Sequence, residues 1–464
     1  MKLQRLEAAL GHGFSRPELL RQALTHRSFG SPNNEQLEFL GDSILDCAIS
    51  ARLYLRFPGL REGELSRLRA NLVRQAGAIS ASSLVREGGR VFLKASQRAE
   101  VDNGSIDVGS GSSTGGRIEI TGDAVALTGS SALNASGATG GGQILVGGGF
   151  QGKDASLANA TTTTVESGVT LKADARDQGD GGLVVAWANG ATVAHGSFSA
   201  QGGAQGGNGG RVETSGKSHL DFRGARVSTK APKGRNGFWL LDPTDIFLTA
   251  DDAGTISGGL GSGDVIVQAD NDITMGTGRV IQPSAWAGAA PTLTFKAGRD
   301  IVLSPGAIIK GAQDIYYTYP LNVVLWSNAS GSGGGIYAGG DPANVGGIYS
   351  FGGNIVFSGG NVADVAALTT SGYAVGVSAG QSDGISINHF DVRADGTSSG
   401  GDIVLRGQAP ANTSSSTGVW IANAGAGATT FNSGIVTNGA GKIVIDGVSD
   451  GVDVGTGRTG VRLY

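Results

Sequence analysis

The chain has 464 residues, 82 of them Gly and 11 Pro, and aromatic residues make up only 6%. No Gly-X-Y period runs through it, which excludes a collagen-like rod. The formal net charge of −4 gives no general basis for nucleic-acid binding, and the length allows two or three domains.

Composition changes near residue 75. Residues 1–75 hold 11 Lys+Arg, 8 Asp+Glu and 6 Gly, whereas the other 389 residues hold 24, 31 and 76. The single cysteine, Cys47, rules out an intrachain disulfide and sits among apolar helix positions, which reads as a buried thiol. The opening "MKLQRLEAALGHGF" alternates charge with Leu and Ala and lacks the unbroken apolar core of a secretory signal. No apolar run approaches the roughly 20 residues of a membrane helix. As written, the chain is expected to stay in the cytoplasm.

Residues 1–75 read as helices. Leu3, Leu6, Ala9 and Leu10 recur at helical spacing. "SRPELLRQAL" offers Ser15 as an N-cap, Pro17 in the first turn and Glu18 three residues after the cap. The next helix is expected to open at Asn33 or Asn34, with Leu37, Leu40, Ile44, Leu45 and Ala48 on its apolar side. "EGELSRLRANLV" (62–73) predicts one more. On the middle helix Glu38 and Asp42 share a face, with Glu35 one turn earlier. Two such carboxylates can hold a hard cation such as Mg²⁺ but supply only part of the roughly six oxygens it takes. From spacing alone, a solvated acidic helix edge is the plainer reading.

The wording adds to the spacing. "NNEQLEFLGDSIL" (33–45), preceded by "LLRQALTHRSF" (19–29) and followed by "FPGLREGELSRLRANLVR" (57–74), closely resembles the bacterial ribonuclease III family. The resemblance runs from about residue 3 to 74. It implies a helical, dimeric, Mg²⁺-dependent double-stranded RNA endonuclease. It makes Glu38 a metal ligand and Asp42 a metal-linked catalytic acid. It places Glu35 near the RNA or the dimer seam and makes 35–45 much of the dimer contact. It also implies a second acidic pair, Asp-x-x-Glu, on a later helix of the same chain. After residue 75 the Glu residues are Glu87, Glu100, Glu119, Glu166 and Glu213, none with Asp three places earlier, and 214–464 contains no Glu. The family's basic RNA-binding domain is not visible either.

From residue 76 one phrase recurs: a Gly pair, one variable residue, then apolar alternation. Its copies are "GGRIEI" (115–120), "GGQILV" (141–146), "GGLVVA" (181–186), "GGRVET" (209–214), "GGNIVF" (352–357) and "GGDIVL" (400–405). Short β-rich strands at such intervals predict a β-helix, in which each coil is too thin to bury its own apolar face and must stack on its neighbours. At one coil per 20–25 residues, roughly 16–19 coils are expected, with the 352-to-400 interval read as two turns. Gly and Asn are expected at left-handed corners. A disordered Gly/Ser linker is opposed by the persistent apolar alternation.

"AQGGNGGRVETSGKSHLDFRGARVSTKAPKGRNGFWLLDPTDI" (204–246) resembles filamentous-haemagglutinin-like exoproteins, the two-partner-secreted adhesins, as do "GSIDVGSG" (104–111) and "GDAVALTGSSALNASG" (122–137). This resemblance covers about 77–464. It implies a right-handed β-helical passenger without enzymatic role, secreted or at the cell surface, with host glycans or cell surfaces as partners.

Other motifs are weak. "GGNGGRVET" is similar to a calcium-binding nonapeptide but lacks its Asp, and His195, His219 and His389 are isolated. A carbohydrate-active β-helix needs paired carboxylates beside one groove. Asp174, Asp177 and Asp180 cluster on a Gly-rich loop where turn roles are commoner, and Tyr316, Tyr317 and Tyr319 read as an outward β-face. The expected architecture is therefore mixed by domain: a small all-α fragment at 1–75, then an all-β right-handed parallel β-helix. The β-helix divides into 76–250, haemagglutinin-like, and 251–464, a continuation with irregular insertions. Three functions follow: a structural or adhesive protein without catalysis, a double-stranded RNA endonuclease, or a carbohydrate-active β-helix.

Overall fold

The computed structural model describes residues 13–25, 32–34, 37, 54–55, 58–59, 61, 72–75, 78–80, 89–284, 289–314, 317–340, 342–377, 382–397, 399–410, 416–422, 434–449 and 459–463. Two compact units divide the chain, Met1–Leu72 and Val73–Tyr464.

In the first unit Pro17–Ala23 is helical, with Pro17 and Glu18 in the first turn as expected. The cap is Arg16 and no side chain caps the helix, so Ser15 falls one residue too early to be its N-cap. The Thr25 hydroxyl donates to Arg21 O (2.7 Å) at the other end. Gln22 Nε2 donates to Asn33 O (3.0 Å), which ties this helix to the residues before Leu37. Most of the expected helix at 62–73 lies outside the described residues. Its last two positions correct the expectation: Leu72 and Val73 belong to the strand Leu72–Gln75, at the edge of a parallel sheet.

The second unit is built almost entirely of parallel strands. One sheet of 13 strands runs through it, from Arg90–Lys94 to Ile443–Ser449. Two six-stranded sheets flank its first half, and sheets of seven and five strands flank its second half. The chain visits the three faces in turn. Arg117–Thr121 lies in the long sheet, Ala124–Thr128 in the second and Ala132–Asn134 in the third, before Gln143–Val146 re-enters the first. Strands pair in register with their equivalents one turn away, as in Ile118↔Ile144 and Val184↔Val212. The inward side chains of all turns merge into one core that runs from Val91 to Val419. The flanking sheets break where the helix Ala250–Leu260 replaces a strand of the third face. It is closed by a Thr249–Asp252 capping box and buries Ala253, Ile256 and Leu260.

The Gly pair has a steric origin. The second Gly of each pair stands where a Cβ would fall well under 3.0 Å from the backbone of the preceding turn: Gly116 against Gly89, Gly142 against Gly116, Gly182 against Gly142, Gly210 against Gly182. Any other residue would push the turns apart and break their ladder.

Turn length differs from the expectation. The long sheet's 13 strands include Ala374–Val375, a side strand, so among the described residues the chain passes through that sheet twelve times rather than the expected 16–19. Turns are longer than 20–25 residues because each must cross three strands and three corners: equivalent polar contacts recur at 26, 27 and 28 residues. The 352-to-400 interval is one turn, since Ile355–Gly359 pairs directly with Ile403–Ala409. The surplus residues form an excursion with the helix Val365–Thr370. Another excursion, 147–160, sits between Gln143–Val146 and Leu183–Ala188.

The excursions cover the outer face. Strands without cover alternate, as in Asp264–Ala269 and Thr292–Ala297. Leu183–Ala188 and Asn322–Ser327 are buried beyond their first residue. Leu145, Leu157, Val185 and Trp187 form one outer cluster, and Val324, Trp326, Val356 and Leu368 another.

Corner chemistry follows the expectation for Gly, with Gly129, Gly224, Gly278 and Gly306 among those at left-handed φ, and differs for Asn. Among the described residues only Asn103 and Asn328 of the asparagines have left-handed φ. Asn and Asp act instead through side-chain ladders, each oxygen accepting a backbone N–H one turn on: Asn208 N–H to Asp180 (2.7 Å), Arg235 N–H to Asn208 (3.0 Å), Asp402 N–H to Asn354 (2.9 Å) and Lys442 N–H to Asp402 (2.9 Å).

Candidate functional site

Glu35, Glu38 and Asp42 lie outside the described residues, so no geometry is assigned to them. Among the described residues no group of three His, Cys, Asp or Glu is placed to hold a metal ion. Asp174 is engaged in a turn, accepting from Ser199 Oγ (2.6 Å) and Gln201 N–H (2.8 Å), and Asp180 belongs to the corner ladder above. His195 Nε2 faces Asp221 at 3.1 Å. Tyr319 donates to Asp314 Oδ2 (2.8 Å) from a strand of a small antiparallel hairpin, Tyr317 beside it is exposed, and Tyr316 lies outside the described residues.

The charged cluster that the structure does assemble is one sequence reasoning missed. On the strand Arg211–Gly216, Val212 points into the core and Glu213 to the outer face, between Val185 and Leu240 in register. The excursion 147–160 seals it, leaving Glu213 0% and Asp242 2% exposed. Gln151, held at φ 55°, donates its backbone N–H to Glu213 Oε2 (2.7 Å) and approaches Asp242 Oδ2 with its side-chain amide (3.5 Å). Lys217 Nζ pairs with Asp242 (3.2 Å) and Asp270 (2.9 Å) and stands 5.9 Å from the centre of the Trp187 ring.

Burial pushes the Glu213 carboxyl up to about 8; the bonds from Gln151 and Ser215 oppose this, Asp242 adds to it and Lys217 reduces it. For Lys217, burial disfavours the charge, but the bonds to Asp270 and Asp242 more than offset it and its value rises. A pair of neighbouring carboxylates such as Glu213 and Asp242 is raw material for general acid–base chemistry. Here both are sealed beneath Gln151, so the arrangement fastens a loop rather than meeting a substrate. A sequence signal existed: "GGRIEI" and "GGRVET" carry Glu119 and Glu213 at the same outward position of the repeated phrase. Glu119 pairs with Arg117 (2.5 Å) and Lys94 (3.7 Å), whereas the equivalent cation beside Glu213, Arg211, is turned over the Phe150 ring at 5.3 Å.

Comparison with known proteins adds the N-terminal part. A family model described as ribonuclease-III-like matches residues 16–110. Ribonuclease 3 of Aromatoleum aromaticum is 67% identical over 76 residues, 16% of this chain and 34% of that protein. Ribonuclease 3 of Thiobacillus denitrificans is 59% identical over 89 residues (19% and 39%), and that of Chromobacterium violaceum 62% over 74 (16% and 31%). The chain thus spans about a third of the length of the curated relatives it matches. The family match extends past residue 75 into Arg90–Lys94, Arg98–Asp102 and Ser105–Asp107. These are parallel strands, not the helices that a ribonuclease III resemblance implies.

Proposed function

We propose that this chain is a structural, adhesive protein whose body is a right-handed β-helix, and that its ribonuclease-III-like segment performs no catalysis. The observation that carries this reading is the chain's course after residue 75. Where a nuclease of this family would continue to its second acidic pair, the sequence instead enters parallel strands and offers no Asp-x-x-Glu. Glu38 and Asp42 alone do not complete a Mg²⁺ shell, so the residues present do not fit the ion that the family uses. A metal-activated water needs the ion held in fixed geometry, which two carboxylates by themselves do not supply.

A stack of short turns presents long sheet faces, a form suited to contact with host glycans or a cell surface. No described helix is long and apolar enough to cross a membrane. The second reading, a double-stranded RNA endonuclease dimerising through 35–45, rests on the 67% identity over the N-terminal segment. Binding of the full chain to immobilised glycans and to cultured cells tests the adhesive reading. Saturable binding retained in Asp42→Asn supports it; no binding to either, together with specific retention on duplex RNA, would overturn it.

A further inference from the structure

The excursion 147–160 lies directly on the outer face of the long sheet. A Cβ added at Gly148 or Gly152 would come within 2.6 Å of the Trp187 indole. Its base is held by Gly147 N–H to Ile120 O (2.8 Å) and Ala160 N–H to Gly147 O (2.7 Å). Between these points its bonds are mostly internal: Gly152 N–H to Gly149 O (2.9 Å), Asn159 Nδ2 to Gly152 O (2.9 Å) and Lys153 Nζ to Gln151 Oε1 (3.0 Å). Among the described residues, its polar attachment to the sheet beneath is Gln151, through Glu213 and Asp242. Apolar attachment comes from Leu157 and Phe150, and the Phe150 ring also carries Arg211 at 5.3 Å.

We propose that this excursion is a pH-operated cover: an ionised Glu213 must be hydrated, and admitting that water lifts the loop against the pull of the Gln151 N–H, exposing Leu145, Val185 and Trp187. Glu213 Oε1 is buried without a hydrogen-bond partner, so an ionised Glu213 must gain water. The strand that bears it is locked in register between two neighbouring strands. The cover has no such ladder and yields first. The charged groups facing Glu213 are Asp242 and Lys217, the latter shared with Asp270. Arg211 extends from the same strand over Phe150, and Lys153 and Asp154 belong to the cover itself. Val185 and Leu240, its partners in register, carry no charge. One lysine shared by Asp242 and Asp270 cannot also neutralise a third carboxylate, so burial dominates and pushes the carboxyl up to about 8.

The inference is independent of the adhesive reading. Its test is amide hydrogen exchange of the full chain from pH 6.5 to 9.5, corrected for the intrinsic rate by reference to the helix Val365–Thr370. That second cover rests on Val324, Trp326 and Val356, and the carboxylate that caps it, Asp364, is exposed and accepts from Ala367 N–H (2.9 Å). The exchange of 151–157 relative to the reference should rise roughly tenfold between pH 7 and pH 9, following the ionised fraction of a group titrating near 8. Glu213→Gln should abolish the rise, and Asp242→Asn should move it to lower pH. A flat ratio in the native chain, or an unchanged rise in Glu213→Gln, would overturn the proposal.

Discussion

Gly182→Ala places a methyl group well under 3.0 Å from the backbone of Gly142, a separation that real Cβ atoms essentially never show. The turn cannot absorb this by rotating a side chain, because the obstacle is the carbonyl that accepts the Leu183 N–H at 3.0 Å. Forcing the two turns apart costs about 1–3 kcal/mol of overpacking strain. A further 1–3 kcal/mol is lost if the buried N–H goes unsatisfied. Gly254→Ala is the matched control. Gly254 lies on the helix Ala250–Leu260 with nothing within 4 Å of its added methyl, so the change should stabilise by about 1 kcal/mol. Chemical denaturation of the full chain, read by far-UV circular dichroism, compares the two. Midpoints are the quantity to report, because long stacked arrays depart from two-state behaviour. Gly182→Ala should lower the midpoint clearly and Gly254→Ala should not. Equal midpoints for both variants would refute the steric account of the Gly pair.

Glu213→Gln should make stability less pH-dependent. Its folded-state value, about 8 against 4.5, means that the native stabilisation is full below pH 4.5 and lost as pH rises through 8, worth up to roughly 5 kcal/mol. The variant should overtake the native chain in thermal melts at pH 9 but not at pH 4. Asp402→Ala removes the acceptor of the exposed Lys442 N–H (2.9 Å) and should cost about 0.5–1.5 kcal/mol, whereas Asp402→Asn keeps an acceptor and should be near neutral in the same melts. Leu368, 0% exposed beneath its excursion, should cost about 2–5 kcal/mol as Leu368→Ala. Amide exchange should locate that loss in Val365–Thr370 while the paired strands keep their protection.

Parallel-strand stacking was legible because the Gly pair and the apolar alternation repeat in the chain. A β-strand reports its buried face every second residue, and the close approach of two backbones reports itself as glycine. Turn length was not legible. Nothing in "GGNIVF" and "GGDIVL" says whether 48 residues hold two plain turns or one turn with an excursion; the pairing of Asn354 with Asp402 decides it. The corner ladders were hidden for a similar reason: an Asn that accepts an N–H from the next turn looks the same in sequence as an Asn adopting a left-handed corner. Ser15 failed as a cap because a one-residue shift in helix start is invisible to spacing alone. Glu213 was passed over because its partners, Gln151 and Asp242, lie 62 residues before it in one case and on the following strand's end in the other. Its titration comes from the cover, and burial by a distant loop leaves no local mark.

The central claim is that the ribonuclease-III-like segment is joined to a parallel-β body without a working site. The direct measurement is incubation of the purified full chain with a long RNA duplex in Mg²⁺ or Mn²⁺, alongside Asp42→Asn. No cleavage above background in either is predicted. Clear cleavage by the native chain that disappears in Asp42→Asn would contradict the account.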